Sequence, residues 1–548
     1  MKKLIKLTAL LLACVMAFSL VGCGGGSGGS GGGASGGGET EAGLGVQSIG
    51  DDGAQVSSGG GEAIESDRVL HVAVQNDSGS LFPYATVAGG FAFGAIRTIY
   101  DTLWDYTSDG QIEYLLCTGW EAGDEENEYI LHLREGVNFS NGNPFTAEDV
   151  IFSMEVSNED PQYFSNVDTV DFERTNIIDD YTIDLYFTEF DIGQFPGMML
   201  MYIFDKESFD MTSLASDPIG TGPYILDNYV TNSSMTVVAN PDYWGEQPAI
   251  KQIEFHVINE ASQQVNLLTT NELDYTRIST EDVDYVRTLS DDYILWATQS
   301  GSATMAYFNC SPDAPLGTNE ARIAICHAID VDRINDVCFN GLSEPCRWGN
   351  TEACRDFEER FIDPEDPVYS VGYDPELAAQ EAEAAGLVGQ HLRIMTNGAE
   401  SYINMAEIIQ QNLQDIGIDS EIINYDQATY WGLLMDESNF DIAMYMNGSP
   451  KNLCLDLFSA YLQFFPLGLV GDPVREQFVA EGLAALANPD EDARQEALYQ
   501  MGRDFENLNA WYALCENISV CAVSNDLGPI ARYNDGEVRY ANWYWVSE

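Results

Sequence analysis

Ile219-Gly220-Thr221-Gly222-Pro223-Tyr224 opens the stretch that decides the fold, and Asn240-Pro241-Asp242-Tyr243-Trp244-Gly245 divides it. In the first segment two glycines and a proline set a sharp backbone turn. Residues 224–230 and 235–239 then alternate as two strands. Thr231-Asn232-Ser233-Ser234 between them is turn material, which predicts a β-hairpin. The second quoted segment is another tight turn. Residues 250–258 alternate as a third strand, and residues 260–271 place Ala261, Val265 and Leu268 on one helical face ahead of Glu272-Leu273-Asp274.

In this order (glycine turn, hairpin, aromatic turn, strand, helix) the pieces resemble the extracellular solute-binding proteins of ABC importers, in the dipeptide, oligopeptide and nickel branch known as family 5. A second dense likeness lies upstream. Residues 129–133 read as a strand, Arg134-Glu135-Gly136-Val137 as a turn and Phe139-Ser140-Asn141-Gly142 as a hairpin loop. Thr146-Ala147-Glu148-Asp149 then starts a helix running to Met154, with Thr146 as N-cap and Asp149 at the capping-box position. The resemblance implies an α/β fold of the periplasmic-binding-protein type (type II), with two lobes joined by a hinge and an extra small lobe that holds this second segment away from the ligand.

Length and composition are consistent with that. The chain has 548 residues, which predicts two or three lobes rather than a single core. A net charge of −65 excludes nucleic acid as a natural partner. It fits solubility in an acid-tolerant or salty habitat, or attraction of cationic ligands.

The amino terminus reads as an export signal. Lys2, Lys3 and Lys6 precede an uncharged apolar run over residues 7–21, and Leu20-Val21-Gly22-Cys23 resembles a bacterial lipobox. The resemblance implies cleavage before Cys23 and a lipid on its sulfur, holding the protein at the outer face of the cytoplasmic membrane, the cell surface of a Gram-positive-type bacterium. The expected organisation is a signal over residues 1–22 and a lipidated Cys with a Gly/Ser-rich disordered tether over 23–66. A first lobe follows over 67–108, 214–305 and 516–548, a small extra lobe over 109–213 and a second lobe over 306–515. Of the eleven cysteines, Cys346/Cys354 and Cys515/Cys521 are spaced as possible loop closures, and free thiols throughout are the alternative.

Along the chain, residues 68–75 alternate as a strand, a helix is expected to end at Leu103, and residues 198–204 are apolar enough for a buried strand. The crossover to the second lobe is expected over residues 302–309, followed by one helix over 319–337. Asp374-Pro375 caps the next helix, and helix and strand then alternate to about residue 446, which argues a partly parallel, helix-covered sheet. Two helices over 473–487 and 490–508 and an aromatic tail complete the chain.

The resemblance implies a solute cleft between the large lobes. It nominates Gly89, Gly90 and Phe91 in the first lobe, and Met446, Asn447, Gly448 and Lys451 in the loop after the strand that begins at Phe440. Tyr430, Trp431, Trp511 and Tyr512 are aromatic candidates, for which core packing is the alternative. Peptide-binding relatives carry a Trp near Asn447 and an Asp near Pro450; both are missing here, so a peptide's α-ammonium needs another acid. No HExxH, GxSxG or Walker pattern occurs, and the spacing of Cys326, His327, Cys338, Cys346 and Cys354 fits no zinc site. The expectation is a monomeric receptor without catalytic activity, metal or cofactor, capturing an oligopeptide or dipeptide and delivering it to ABC permease and ATPase subunits. A non-peptide solute (an oligosaccharide or a metal chelate), a surface-anchored hydrolase and an adhesion or sensing lipoprotein are the alternatives.

Overall fold

The computed structural model describes residues 47–48, 62–77, 79–85, 94–106, 112–125, 127–159, 167, 169–188, 198, 201–343, 360, 371–448, 467–469, 471, 473–488, 490–528 and 538–547. The signal, Cys23, Cys346 and Cys354 lie outside them, as does the expected tether apart from residues 47–48 and 62–66.

The hairpin forms as expected: Tyr224–Val230 and Ser234–Ala239 pair antiparallel, with the left-handed backbone of Asn232 at the turn. Gln252–Val257 adds to the hairpin, and Ala261–Thr269 is the helix after it. These strands form one end of an eleven-stranded sheet. From that end its path continues through Leu70–Val74, Tyr275–Ile278, Trp511–Ser524, Tyr293–Phe308, Ile442–Gly448 and His391–Thr396 to Asp419–Asn424. Gln47–Ser48 pairs off this path, parallel to Trp296 and Ala297. The strands of the second lobe that alternate with helices, His391–Thr396, Asp419–Asn424 and Ile442–Gly448, are parallel to one another, as the sequence rhythm predicts.

One apolar core runs from Ala303 to Cys515 around the second-lobe strands. Another packs Leu70, Val72, Ile253 and Phe255 against Tyr540, Trp543 and Trp545 of the tail. Full burial of one large apolar side chain is worth about 1.5–3 kcal/mol, so the buried tail aromatics are substantial contributors to this core. A separate antiparallel four-stranded sheet, Cys117–Ala122, Glu128–Leu133, Thr182–Tyr186 and Asn176–Asp179, encloses its own core with helix Ala147–Ser157. The capping box of that helix is present, with Thr146 N–H donating to Asp149 Oδ2 at 2.8 Å.

The two family-like segments interlock. Ser140 N–H donates to the Gly220 carbonyl at 2.9 Å, and the Arg134 guanidinium lies 4.4 Å from the Trp244 ring centre. Asp101 receives Trp244 Nε1–H at 2.8 Å and the Thr221 hydroxyl at 3.1 Å, so one buried carboxyl joins the glycine turn to the aromatic turn. Burial raises its pKa to about 6, against the partial opposition of those two donors and of Arg539 and Arg134.

Four local expectations are corrected. Residues 94–103 do not continue a helix: Ile96–Thr98 is a short 3₁₀ turn, and the Ile99 carbonyl is taken by Gly222 N–H at 2.9 Å, where a helix would offer it to residue 103. Met198 and residues 201–204 are buried, but the pairing there among the described residues is a single bridge between Tyr202 and Thr102. The helix expected over 319–337 is two, Asn319–Ala328 and Val331–Phe339. Between them Ile329 is extended, and the Asp330 carboxylate accepts from Arg333 N–H at 3.0 Å as a new N-cap. Finally, Cys515 and Cys521 are free thiols on one strand. Six residues of extended chain separate them by about 20 Å, where a disulfide needs roughly 6 Å between Cα atoms.

Candidate interlobe binding site

Two long strands, Tyr293–Phe308 and Trp511–Ser524, belong to both halves of the large sheet. Residues 293–299 pair with 518–524, beside Tyr275–Ile278 of the first lobe. Residues 303–307 pair with 511–516, beside Ile442–Gly448 of the second. Between these halves the register shifts twice, from Gln299 to Ala303 and again from Thr304 to Met305. Such bulges add an unpaired residue, bend the strand and increase its twist. They lie between the half of these strands that pairs beside Tyr275–Ile278 and the half that pairs beside Ile442–Gly448.

Side chains tie this bend together. Thr304 Oγ1–H donates to Asn517 Oδ1 at 2.7 Å, and Asn517 Nδ2–H donates to Ser302 Oγ at 3.0 Å. Tyr402, from helix Glu400–Asp415, hydrogen-bonds Thr304, and burial pushes its phenol well above the usual range. The Ser343 hydroxyl donates to the Glu516 carbonyl, which ties the chain just after helix Val331–Phe339 to the same strand. Glu516 itself is buried, 4% exposed, and stands in register with Ala303, which in turn faces Asn447.

The start of the neighbouring strand is anchored as firmly. Tyr307 hydroxyl donates to Glu437, which also accepts from Cys310 N–H at 3.1 Å. Asn309 Nδ2 donates to the Glu437 and Phe440 carbonyls at 2.8 and 3.1 Å. Ile442–Gly448 therefore enters the sheet in a fixed register, ending with Met446 opposite Thr304, Asn447 opposite Ala303 and Gly448 opposite Ser302.

The residues nominated from sequence divide accordingly. Met446, Asn447 and Gly448 meet the bend. Trp511 and Tyr512 pair with Tyr307 and Ala306, two or three residues and thus about 7–10 Å further into the second lobe. Trp511 is 5% exposed, and the Tyr512 hydroxyl donates to the Val371 carbonyl at 3.3 Å. Tyr430 is fully buried with its hydroxyl donating to the Met444 carbonyl, and Trp431 packs edge-on to it and to Tyr445. Gly89, Gly90, Phe91 and Lys451 lie outside the described residues. Ser302, Thr304, Tyr402, Glu516 and Asn517 were not nominated. For Ser302, Thr304, Glu516 and Asn517 the signal is a polar residue inside a largely apolar strand; Tyr402 lies on a helix and gives no such signal.

A model of the bacterial extracellular solute-binding proteins, family 5 (middle), matches residues 111–453. The dipeptide-binding protein of Escherichia coli is 25% identical over 388 residues, covering 63% of this chain and 70% of that one. The nickel-binding periplasmic protein of the same organism is 26% identical over 476 residues, covering 79% and 86%. Among solved structures, NikA from Brucella suis in complex with Fe(III)-EDTA superposes with a TM-score of 0.76 at 19% identity, over 87% of this chain and all (100%) of that one.

Proposed function

This chain belongs to the bacterial extracellular solute-binding proteins of family 5, and from that premise we propose that its solute is a short peptide, held between the lobes on either side of the bulged hinge. It is the substrate-binding component of an ABC importer, working with permease and ATPase subunits, and is not an enzyme. The observation that carries the proposal is the register at the bend, where Met446, Asn447 and Gly448 align with residues 302–304 and with Glu516. The lobes divide at this bend, residues 67–108, 214–305 and 516–548 on one side and 306–515 on the other, with 109–213 as the small lobe. Glu516 supplies the carboxylate for the peptide's α-ammonium in place of the Asp missing near Pro450. Gly89, Gly90, Phe91 and Lys451 complete the candidate contacts, while Tyr430, Trp431, Trp511 and Tyr512 act through packing in the second-lobe core.

The protein acts as a monomer anchored through a lipid on Cys23, exported by the apolar signal before it and lifted from the membrane by the Gly/Ser-rich tether. Among the described residues no helix is long and apolar enough to cross a membrane. Calorimetric titration of the soluble chain from residue 67 with di- to pentapeptides, free and N-acetylated, tests the reading. Binding of the free peptides, weakened about tenfold or more by N-acetylation and by Glu516→Gln, is the expected result. Binding of an oligosaccharide or metal chelate with no heat from any peptide would overturn it.

A further inference from the structure

Away from the hinge, strands Leu70–Val74 and Gln252–Val257 run parallel with His71 opposite Glu254. The two-residue period of a strand puts His256 on the same face as Glu254, while Leu70, Val72, Ile253 and Phe255 point into the core on the other side. Three ligand-type side chains from two adjacent strands therefore converge. His71 Nδ1 lies 3.1 Å from His256 Nε2 and 3.7 Å from Glu254 Oε2, and the three ligand atoms all fall within 4.8 Å of one another. The rings stack with centres 5.3 Å apart.

We propose that His71, Glu254 and His256 bind one divalent transition-metal ion of the Zn2+ class on the outer face of the first lobe. Two imidazoles and one carboxylate are a donor set that suits such ions and leaves positions open for water. Donors about 2.0–2.1 Å from a tetrahedral ion stand roughly 3.3 Å apart; the two imidazole nitrogens already have that spacing, while Glu254, 3.7 Å from His71 Nδ1 and within 4.8 Å of His256, closes on the ion by a side-chain movement of about 1 Å. The metal-free alternative is an N–H···N hydrogen bond between the imidazoles with Glu254 paired to a protonated His71, which the titration below separates from metal binding.

The support is rigid. His71 N–H donates to Asp274 Oδ2 at 2.8 Å and its carbonyl accepts from Asp274 N–H at 2.8 Å, while His256 is held by pairing with Ser234. His71 and Glu254 side chains are 37% and 33% exposed, so an ion reaches the site directly from solvent. The net charge of −65 raises the local concentration of cations around the chain.

The test is titration of the metal-stripped protein with Zn2+ by calorimetry, and with Co2+ by visible absorption, in the wild type and in His71→Ala, His256→Ala and Glu254→Gln. The cluster is partly exposed, so these variants should fold, which circular dichroism verifies. One ion per chain, a tetrahedral or five-coordinate Co2+ spectrum, and affinity lowered about tenfold or more in each variant are expected. No binding to the folded wild type, or binding equally strong in all three variants, would overturn the proposal. The second result would move any metal to another site, including the interlobe cleft.

Discussion

Replacing Asp101 by Asn should stabilise the protein at neutral pH and do little at pH 4. Asp101 is buried and joins the glycine turn to the aromatic turn through Thr221 and Trp244. Burial raises its pKa from 3.8 to about 6. Between those values the folded carboxyl keeps a proton that the unfolded one has released. Its contribution to stability is therefore fully present below about pH 4 and lost as the pH rises through about 6. The whole change amounts to about 3 kcal/mol. Asn cannot ionise, and its single carbonyl oxygen can still accept from both donors, since both reach the same Asp oxygen. Urea unfolding of both proteins from pH 4 to pH 8, followed by tryptophan fluorescence, gives the difference in unfolding free energy, in which the effect of the large shared negative charge cancels. That difference should be near zero at pH 4 and favour Asn by about 2–3 kcal/mol at pH 8. A difference that stays flat across the range, or that favours Asp at pH 8, would refute the reasoning that the buried charge is costly.

A methyl group added at Gly220 would lie 2.1 Å from the Ile99 carbonyl oxygen, so Gly220→Ala should cost about 3 kcal/mol in chemical denaturation. Gly432 sits in helix Gln427–Leu434 with open space around it, and Gly432→Ala should instead stabilise by about 0.5–1 kcal/mol. Arg322 is 3% exposed and donates to the Leu316, Leu508 and Asn509 carbonyls. Lysine cannot reproduce that fork, so Arg322→Lys should cost about 2–3 kcal/mol, read as a lower urea midpoint with unchanged slope. Cys117, Cys310, Cys326, Cys338, Cys515 and Cys521 are buried free thiols, and burial pushes Cys310 and Cys515 up to about 12. Alkylation followed by peptide mapping should label these six only in denaturant; rapid labelling of any of them in the native protein would contradict its placement.

What the sequence made legible was local. The hairpin at Thr231–Ser234, the capping box at Thr146 and Asp149, and the Asp374-Pro375 helix start each depend on residues a few positions apart, and each formed. Where the reading failed, a distant group intervened or a local signal was outweighed. The expected helix before Leu103 stops where Gly222, far along the chain, takes the Ile99 carbonyl. The break at Asp330 was written as an N-cap but hidden by apolar periodicity on both sides. Met446–Gly448 could be nominated from the family resemblance, yet their alignment with Ser302–Thr304 and Glu516 depends on strand register, which pairs residues remote in sequence. The same is true of His71 and His256, which no spacing rule would connect.

We propose that this receptor holds a short peptide between lobes hinged at the bulged strands. Mass spectrometry of the small molecules released when the purified, tether-free protein is denatured is the decisive measurement. The prediction is a set of short-peptide masses that is lost from the Glu516→Gln protein. A single discrete non-peptide mass, retained in that variant, would contradict it.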